Sequence, residues 1–201
     1  GRLLRVDYKT NAVEKIRLPY DGAISELIAD PRTDGVIFGM QSWVKSSTLF
    51  AYDPKTKSVS DTRLRPPSPI DTSGFESVEV KVKSHDGAMI PLSIIYKKGI
   101  KRDGKNLAGM TGYGAYGISH EPTFLAHFFP WLNEGGVVAF AHVRGGGEYG
   151  EEWHQAGLKS TKPNTWKDFI ACGEYLIKEG YTSAKLLAGH GASAGGIMIG
   201  N

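Results

Sequence analysis

The sequence predicts an α/β domain built on a mostly parallel sheet, preceded by a smaller part made of short β-strands. Three observations carry this expectation. After residue 71, strand-like and helix-like patterns alternate in the manner of βαβ units. The proline cluster Arg65-Pro66-Pro67-Ser68-Pro69-Ile70-Asp71 removes backbone donors and holds the chain extended, which marks a linker. Near the end, a strand pattern, a glycine-flanked serine and a helix pattern follow one another directly. The expected division is therefore residues 1–70 and 71–201.

In the first part, Val6-Asp7-Tyr8-Lys9-Thr10-Asn11-Ala12-Val13 reappears as Tyr52-Asp53-Pro54-Lys55-Thr56-Lys57-Ser58-Val59, 46 positions later. Each copy reads as a hairpin with a turn of Asp, Lys, Thr and Pro or Asn, and a second strand ending in Arg17-Leu18 or Arg63-Leu64. A short-stranded repeat of about 40–50 residues has the spacing of a β-propeller blade. Two unrelated hairpins sharing common turn chemistry are the alternative. Past the linker, Glu76 to Val82 alternates at period two, His85-Asp86-Gly87 turns, and Ile90 to Tyr96 returns as an antiparallel partner. Leu107 to Met110 is a short segment that leads into a glycine cluster. Gly136 to Val143 reads as a strand buried on both faces. Trp166, Phe169, Ile170, Gly173 and Ile177 recur at helical spacing, with Thr165 and Asp168 as a capping pair and Gly180 as the stop. Cys172 within that helix is expected to be a packed thiol, and Lys185 to His190 is the last strand.

Composition excludes several functions. Of 201 residues, 40% are apolar and 22% charged, which excludes disorder, collagen and coiled coil. Lys plus Arg number 24 against 21 Asp plus Glu, with no basic run, so neither nucleic acid nor a membrane surface is an expected partner. One cysteine excludes an internal disulfide or a multi-cysteine zinc site, and no metal or organic cofactor is implied. With no initiator Met and an ending inside Gly195-Gly196-Ile197-Met198-Ile199-Gly200-Asn201, the chain is expected to be a piece of a longer protein. No targeting signal is present to fix a compartment.

Gly189-His190-Gly191-Ala192-Ser193-Ala194-Gly195-Gly196 contains G-x-S-x-G between strand and helix patterns, the spacing of the nucleophile turn in α/β-hydrolases. Such a turn exposes the Ser193 hydroxyl at the carboxyl edge of the sheet. It also leaves the Ala194 N–H at a helix start, where it can hold an oxyanion. A serine nucleophile needs a His base oriented by a carboxylate, in the chain order Ser, acid, His. All six histidines precede Ser193, so acid and base are expected beyond Asn201 and the chain alone is expected to be inactive. A second cluster, Thr111-Gly112-Tyr113-Gly114-Ala115-Tyr116-Gly117, is a candidate source of another oxyanion donor. Arg144-Gly145-Gly146-Gly147-Glu148-Tyr149-Gly150 contains G-x-G-x-x-G after a strand, but no helix is expected to open on it, so dinucleotide binding is set aside.

Tyr113 to Ser119, Trp131-Leu132, Gly135 to Val137, Arg144 to Glu151, Trp153-His154, Asp168-Phe169, Glu174 to Ile177, Gly180 to Ser183 and the serine turn, in this order, closely resemble the prolyl oligopeptidase family of serine peptidases. The resemblance implies an α/β-hydrolase domain, here its amino-terminal half, preceded by a piece of β-propeller, in an enzyme that cleaves short peptides. It implies Ser193 as nucleophile, the Ala194 N–H and the Tyr113 hydroxyl as oxyanion donors, and Tyr116 as a wall of the substrate pocket. The glycine-rich Arg144 to Glu151 segment is implied to be architectural. The sequence departs from the family pattern at three places. Ala194 stands where prolyl-specific members often carry Asn and His142 where Asn is usual, which weakens the assignment to strict proline cleavage and leaves the preferred residue open. Leu107 to Met110 is less apolar than the family's central strand, so local distortion is expected there. Rival readings are an esterase or acylaminoacyl-peptidase-like hydrolase, and a non-catalytic peptide-binding scaffold. A sheet ending after the serine turn is expected to expose an edge through which the piece self-associates.

Overall fold

The computed structural model describes residues 1–201 as two compact units: Gly1–Thr72 with Glu121–Leu125, and Ser73–His120 with Ala126–Asn201. In the first unit, β1 (Leu3–Val6) and β2 (Val13–Ile16) form an antiparallel pair. Four further strands, β3 (Ala23–Ile28), β4 (Val36–Gln41), β5 (Thr48–Asp53) and β6 (Ser58–Asp61), form an antiparallel meander in chain order. The two repeated hairpins share their turn chemistry. Asp7 accepts from the Lys9 and Thr10 N–H groups, Asp53 accepts from Lys55 N–H and the Thr56 hydroxyl, and Asn11 and Lys57 take left-handed φ of 56° and 54°. Phe38, Met40, Phe50 and Tyr52 pack with Leu3 and Ile16 as this unit's core.

The second unit holds one five-stranded sheet. Its strands are β7 (Phe75–Lys83), β8 (Met89–Lys97), β9 (Ala108–Gly112), β10 (Val137–Ala141) and β11 (Leu187–His190), in the order β11-β9-β10-β8-β7. The expectation of a mostly parallel sheet is corrected: β11–β9 and β9–β10 are parallel, while β10–β8 and β8–β7 are antiparallel. The cause is the hairpin after the linker, which joins the same sheet through β8: β8 runs against β10, and β7 beyond it runs again in the direction of β9, β10 and β11. Expected distortion of β9 is also overturned. It pairs in unbroken parallel register with β10 and β11. Its small residues do not interrupt the pairing, and at its end Gly112 lets Met198 of the last helix pack close, where a Cβ would lie 3.1 Å from the Met198 terminal methyl.

The helices are α1 (Phe129–Asn133), α2 (Glu151–Gln155), α3 (Pro163–Lys178) and α4 (Gly195–Gly200). Every residue of β10 is buried. Val137, Ala139 and Ala141 face the core that contains Phe169, Cys172 and Leu176 of α3, while Phe140 turns the other way toward Phe128 before α1. Two expectations for α3 change. Its buried residues are Thr165, Asp168, Phe169, Cys172, Gly173 and Leu176, whereas Ile170 and Ile177 are exposed, so the apolar stripe is rotated from the predicted face. Thr165 and Asp168 do not cap it. The helix starts earlier at Pro163, whose missing N–H is harmless in the first turn. Thr165 instead donates to the Arg144 carbonyl at 2.7 Å, and Asp168 pairs with Arg144. Cys172 is fully buried, and burial pushes its thiol up, away from thiolate chemistry. No helix is long and apolar enough to cross a membrane.

Candidate active site

Strand order decides where chemistry can gather. From β9 the chain crosses to β10 on one side, then returns over β9 to place β11 on the other. Such a reversal opens a crevice at the carboxyl ends of the strands. The segments leaving β9 and β11, beginning at Tyr113 and Gly191, therefore emerge side by side.

Between β11 and α4 the backbone turns sharply. Ser193 has φ of +53°, a left-handed conformation that costs a non-glycine residue of order 1–3 kcal/mol and persists where the surroundings enforce it. Enforcement comes from Gly191, where a Cβ would lie 2.3 Å from the Gly195 carbonyl oxygen. Gly195, Gly196 and Ile197 donate to the Ala192, Ser193 and Ala194 carbonyls, closing the first turn of the helix. The Ala194 N–H just before them donates to no carbonyl. Ser193 is exposed and its hydroxyl makes no hydrogen bond within the chain.

Tyr113 leaves β9 against this turn. Its Cδ2 is 3.5 Å, and its Cα 3.6 Å, from where a Cβ on Gly195 would sit. The Tyr113 ring lies 6.4 Å from that of Tyr116 and 6.5 Å from that of His120. Tyr116 has φ of +56° and is 74% exposed. The structure thus brings Tyr113 beside the Ser193–Gly195 turn and Tyr116 beside Tyr113. None of the six histidines hydrogen-bonds to Ser193. His190 faces Thr111 at 3.4 Å and borders a cavity of about 560 Å³ with Gly109, Phe128, Trp131 and Phe140.

The loop carrying Tyr113 is held by the glycine-rich segment 144–150. At Gly145, with φ of +100°, a Cβ would stand 2.0 Å from the Gly114 carbonyl oxygen, so the two backbones touch. Gly117 N–H donates to Gly145, and the Lys162 ammonium donates to the Gly114 carbonyl. Burial lowers the Lys162 pKa. A helix does open here, contrary to expectation: α2 begins directly after Gly150. Dinucleotide binding still gains nothing, because α2 starts with Glu151 and Glu152, which repel phosphate. Beneath the loop, Arg144 is buried. Its Nε and terminal nitrogen hold Asp168 at 2.9 and 2.7 Å, and its other terminal nitrogen holds Asp86. Ser84 completes Asp168 at 2.6 Å. Paired with two carboxylates, the guanidinium is held firmly protonated.

A second buried polar group was not foreseen from the sequence. Glu148 accepts the His120 N–H at 3.1 Å and sits 3.5 Å from His142 Nδ1, an electrostatic contact without hydrogen-bond alignment. His142 Nε2 meets the Ser93 hydroxyl at 2.9 Å. Burial alone would raise the Glu148 carboxyl, yet His142 and the His120 N–H hold it below its usual value. Its members lie in four separate stretches of sequence, so no local pattern announces it.

Residues 122–201 match the sequence model of the prolyl oligopeptidase family. A prolyl endopeptidase of Elizabethkingia meningoseptica is 38% identical over 194 residues, 96% of this chain and 27% of that protein. Among solved structures, a prolyl endopeptidase superimposes with a TM-score of 0.90 at 32% identity, covering 99% of this chain and 29% of the other. Prolyl oligopeptidase B from Galerina marginata, bound to a 25mer macrocyclization substrate, superimposes with a TM-score of 0.87 at 33% identity, covering 95% and 27%. The chain spans a little over a quarter of the length of the curated relatives it matches.

Proposed function

Because this chain belongs to the prolyl oligopeptidase family, we propose that it forms the nucleophile and oxyanion portion of a serine peptidase acting on short peptides. One observation carries the reading: an exposed serine at φ +53° in a strand–turn–helix junction, followed by a free backbone N–H and with the Tyr113 ring packed against Gly195 of the same turn. In this reading the second unit is the amino-terminal part of an α/β-hydrolase domain, and the first is part of a β-propeller. Ser193 Oγ attacks the scissile carbonyl carbon while a histidine from the rest of the protein takes its proton. The carbonyl oxygen becomes an oxyanion held by the Ala194 N–H and the Tyr113 O–H. Collapse of that intermediate expels the amine, which receives the proton, and water then hydrolyses the acyl ester on Ser193. Tyr116, exposed beside Tyr113, walls the pocket for the substrate side chain. Peptide in the related Galerina structure supports peptides as the substrate class here.

The test is covalent labelling of the full-length protein with a fluorophosphonate, followed by peptide hydrolysis. Wild type should label at Ser193 and hydrolyse, and Ser193→Ala should do neither. Labelling that survives Ser193→Ala would refute the assignment.

A further inference from the structure

Tyr113 has no polar anchor of its own: its hydroxyl makes no hydrogen bond within the chain, so ring packing sets where it points. Of its two aromatic neighbours, Tyr116 is largely exposed, while His120 is partly buried and meets Tyr113 at an interplanar angle of 83°. Edge-to-face contact at such a separation is a favourable aromatic geometry. Behind it, the His120 ring rests 5.9 Å from Phe140, which belongs to the fully buried β10. Its Nε2 is buried without a partner. Burial, with His142 adding to it and Glu148 opposing, lowers the His120 pKa from its usual value. The backbone of His120 is fixed through Glu148, whose carboxylate faces His142, which in turn meets Ser93 on β8. A line of contacts thus runs from the centre of the sheet to the Tyr113 ring.

We propose that His120 is a positioning residue, setting the direction of the Tyr113 hydroxyl and, through it, the oxyanion geometry. This rests on the reading of Tyr113 as an oxyanion donor. Its own contribution is the half-buried ring against which Tyr113 stands, with the Ser93–His142–Glu148 series as its foundation.

The test is a double-mutant cycle on the full-length protein with a chromogenic peptide amide. Loss of an oxyanion donor costs about 100- to 1,000-fold in kcat, so Tyr113→Phe should slow turnover by that order. Displacing the donor costs less, and His120→Ala should lower kcat about tenfold with KM changed less than about twofold. His120→Phe, which keeps a ring at the site, should restore kcat to within about threefold of wild type. Since His120 acts through Tyr113, His120→Ala should add no further loss in the Tyr113→Phe background. Should the alanine variant not accumulate as folded protein, His120→Gln replaces it with the same expected slowing.

Wild-type kcat in the ring-less variant, additive losses in the double variant, or no rescue by phenylalanine would each overturn the positioning role. Unchanged kcat in Tyr113→Phe would instead remove the oxyanion reading itself. A slow Tyr113→Phe beside a normal His120→Ala would leave that reading intact and remove only the role of His120.

Discussion

At the scale of single residues, Arg144 ties α3 to the glycine-rich segment: its guanidinium holds Asp168 at 2.9 and 2.7 Å, and its carbonyl accepts from Thr165 at 2.7 Å. Ser193 stood out because a five-residue spacing encodes the bend, and the structure has that bend with φ at +53°. Thr165 and Asp168 stand at capping spacing, but the fold brings Arg144 from 24 positions away to bind the Asp168 carboxylate. Asp86, on the β7–β8 turn, serves the same guanidinium, which holds its carboxyl near pH 2 against the opposing effect of burial. Its pKa is depressed from an ordinary value of 3.8, so the stabilisation is full above the unfolded-state value and fades as pH falls toward about 2. Asp86→Asn should therefore lower stability at neutral pH and converge with wild type across that acid window. Urea midpoints measured against pH check this, and a constant gap down to the lowest pH would contradict it.

At the level of elements, the types were legible and their faces less so. The β7–β8 hairpin followed from alternation and a glycine turn, and its nine paired positions match that pattern. Strand β10 followed from an unbroken apolar run. The face of α3 did not, because Trp166, Ile170 and Ile177 outweigh Thr165, Asp168 and Cys172 on any apolarity count, whereas the core accepts the latter three through an ion pair, a hydroxyl bond and close packing. The distinction is measurable. Leu176 has no exposed surface, so Leu176→Ala should cost about 2–5 kcal/mol. Ile170 is 51% exposed, and Ile170→Ala should stay within about 0.5 kcal/mol. Denaturation midpoints of the two variants compare them directly, and equal losses would overturn the assigned face.

For the whole molecule, the proline cluster ends close to the division observed after Thr72, but the return of Glu121–Leu125 to the first unit has no signature in composition. Phe124 N–H donates to the Gln41 side chain there, a contact between positions 83 apart that no local pattern encodes. The mixed character of the sheet was hidden for a similar reason, since a hairpin read alone does not say which sheet it joins. In the second unit, β11 is paired on one side only, and the cavity beside Trp131 and Phe140 opens apolar surface on a sheet face. We propose that the isolated 201-residue chain associates through these surfaces. Sedimentation velocity should show weight-average mass rising with concentration, and a single monomeric species across the series would contradict it.

The order β11-β9-β10 also bears on biosynthesis. As the nascent chain emerges, β10 can dock on one flank of β9 early, while the other flank waits for a partner encoded after residue 186. At about 5–20 residues per second, making residues 113–190 takes roughly 4–15 seconds. Until β11 follows, the flank of β9 that has emerged stays bare beside the crevice at the carboxyl ends of the strands, a natural target for chaperone capture.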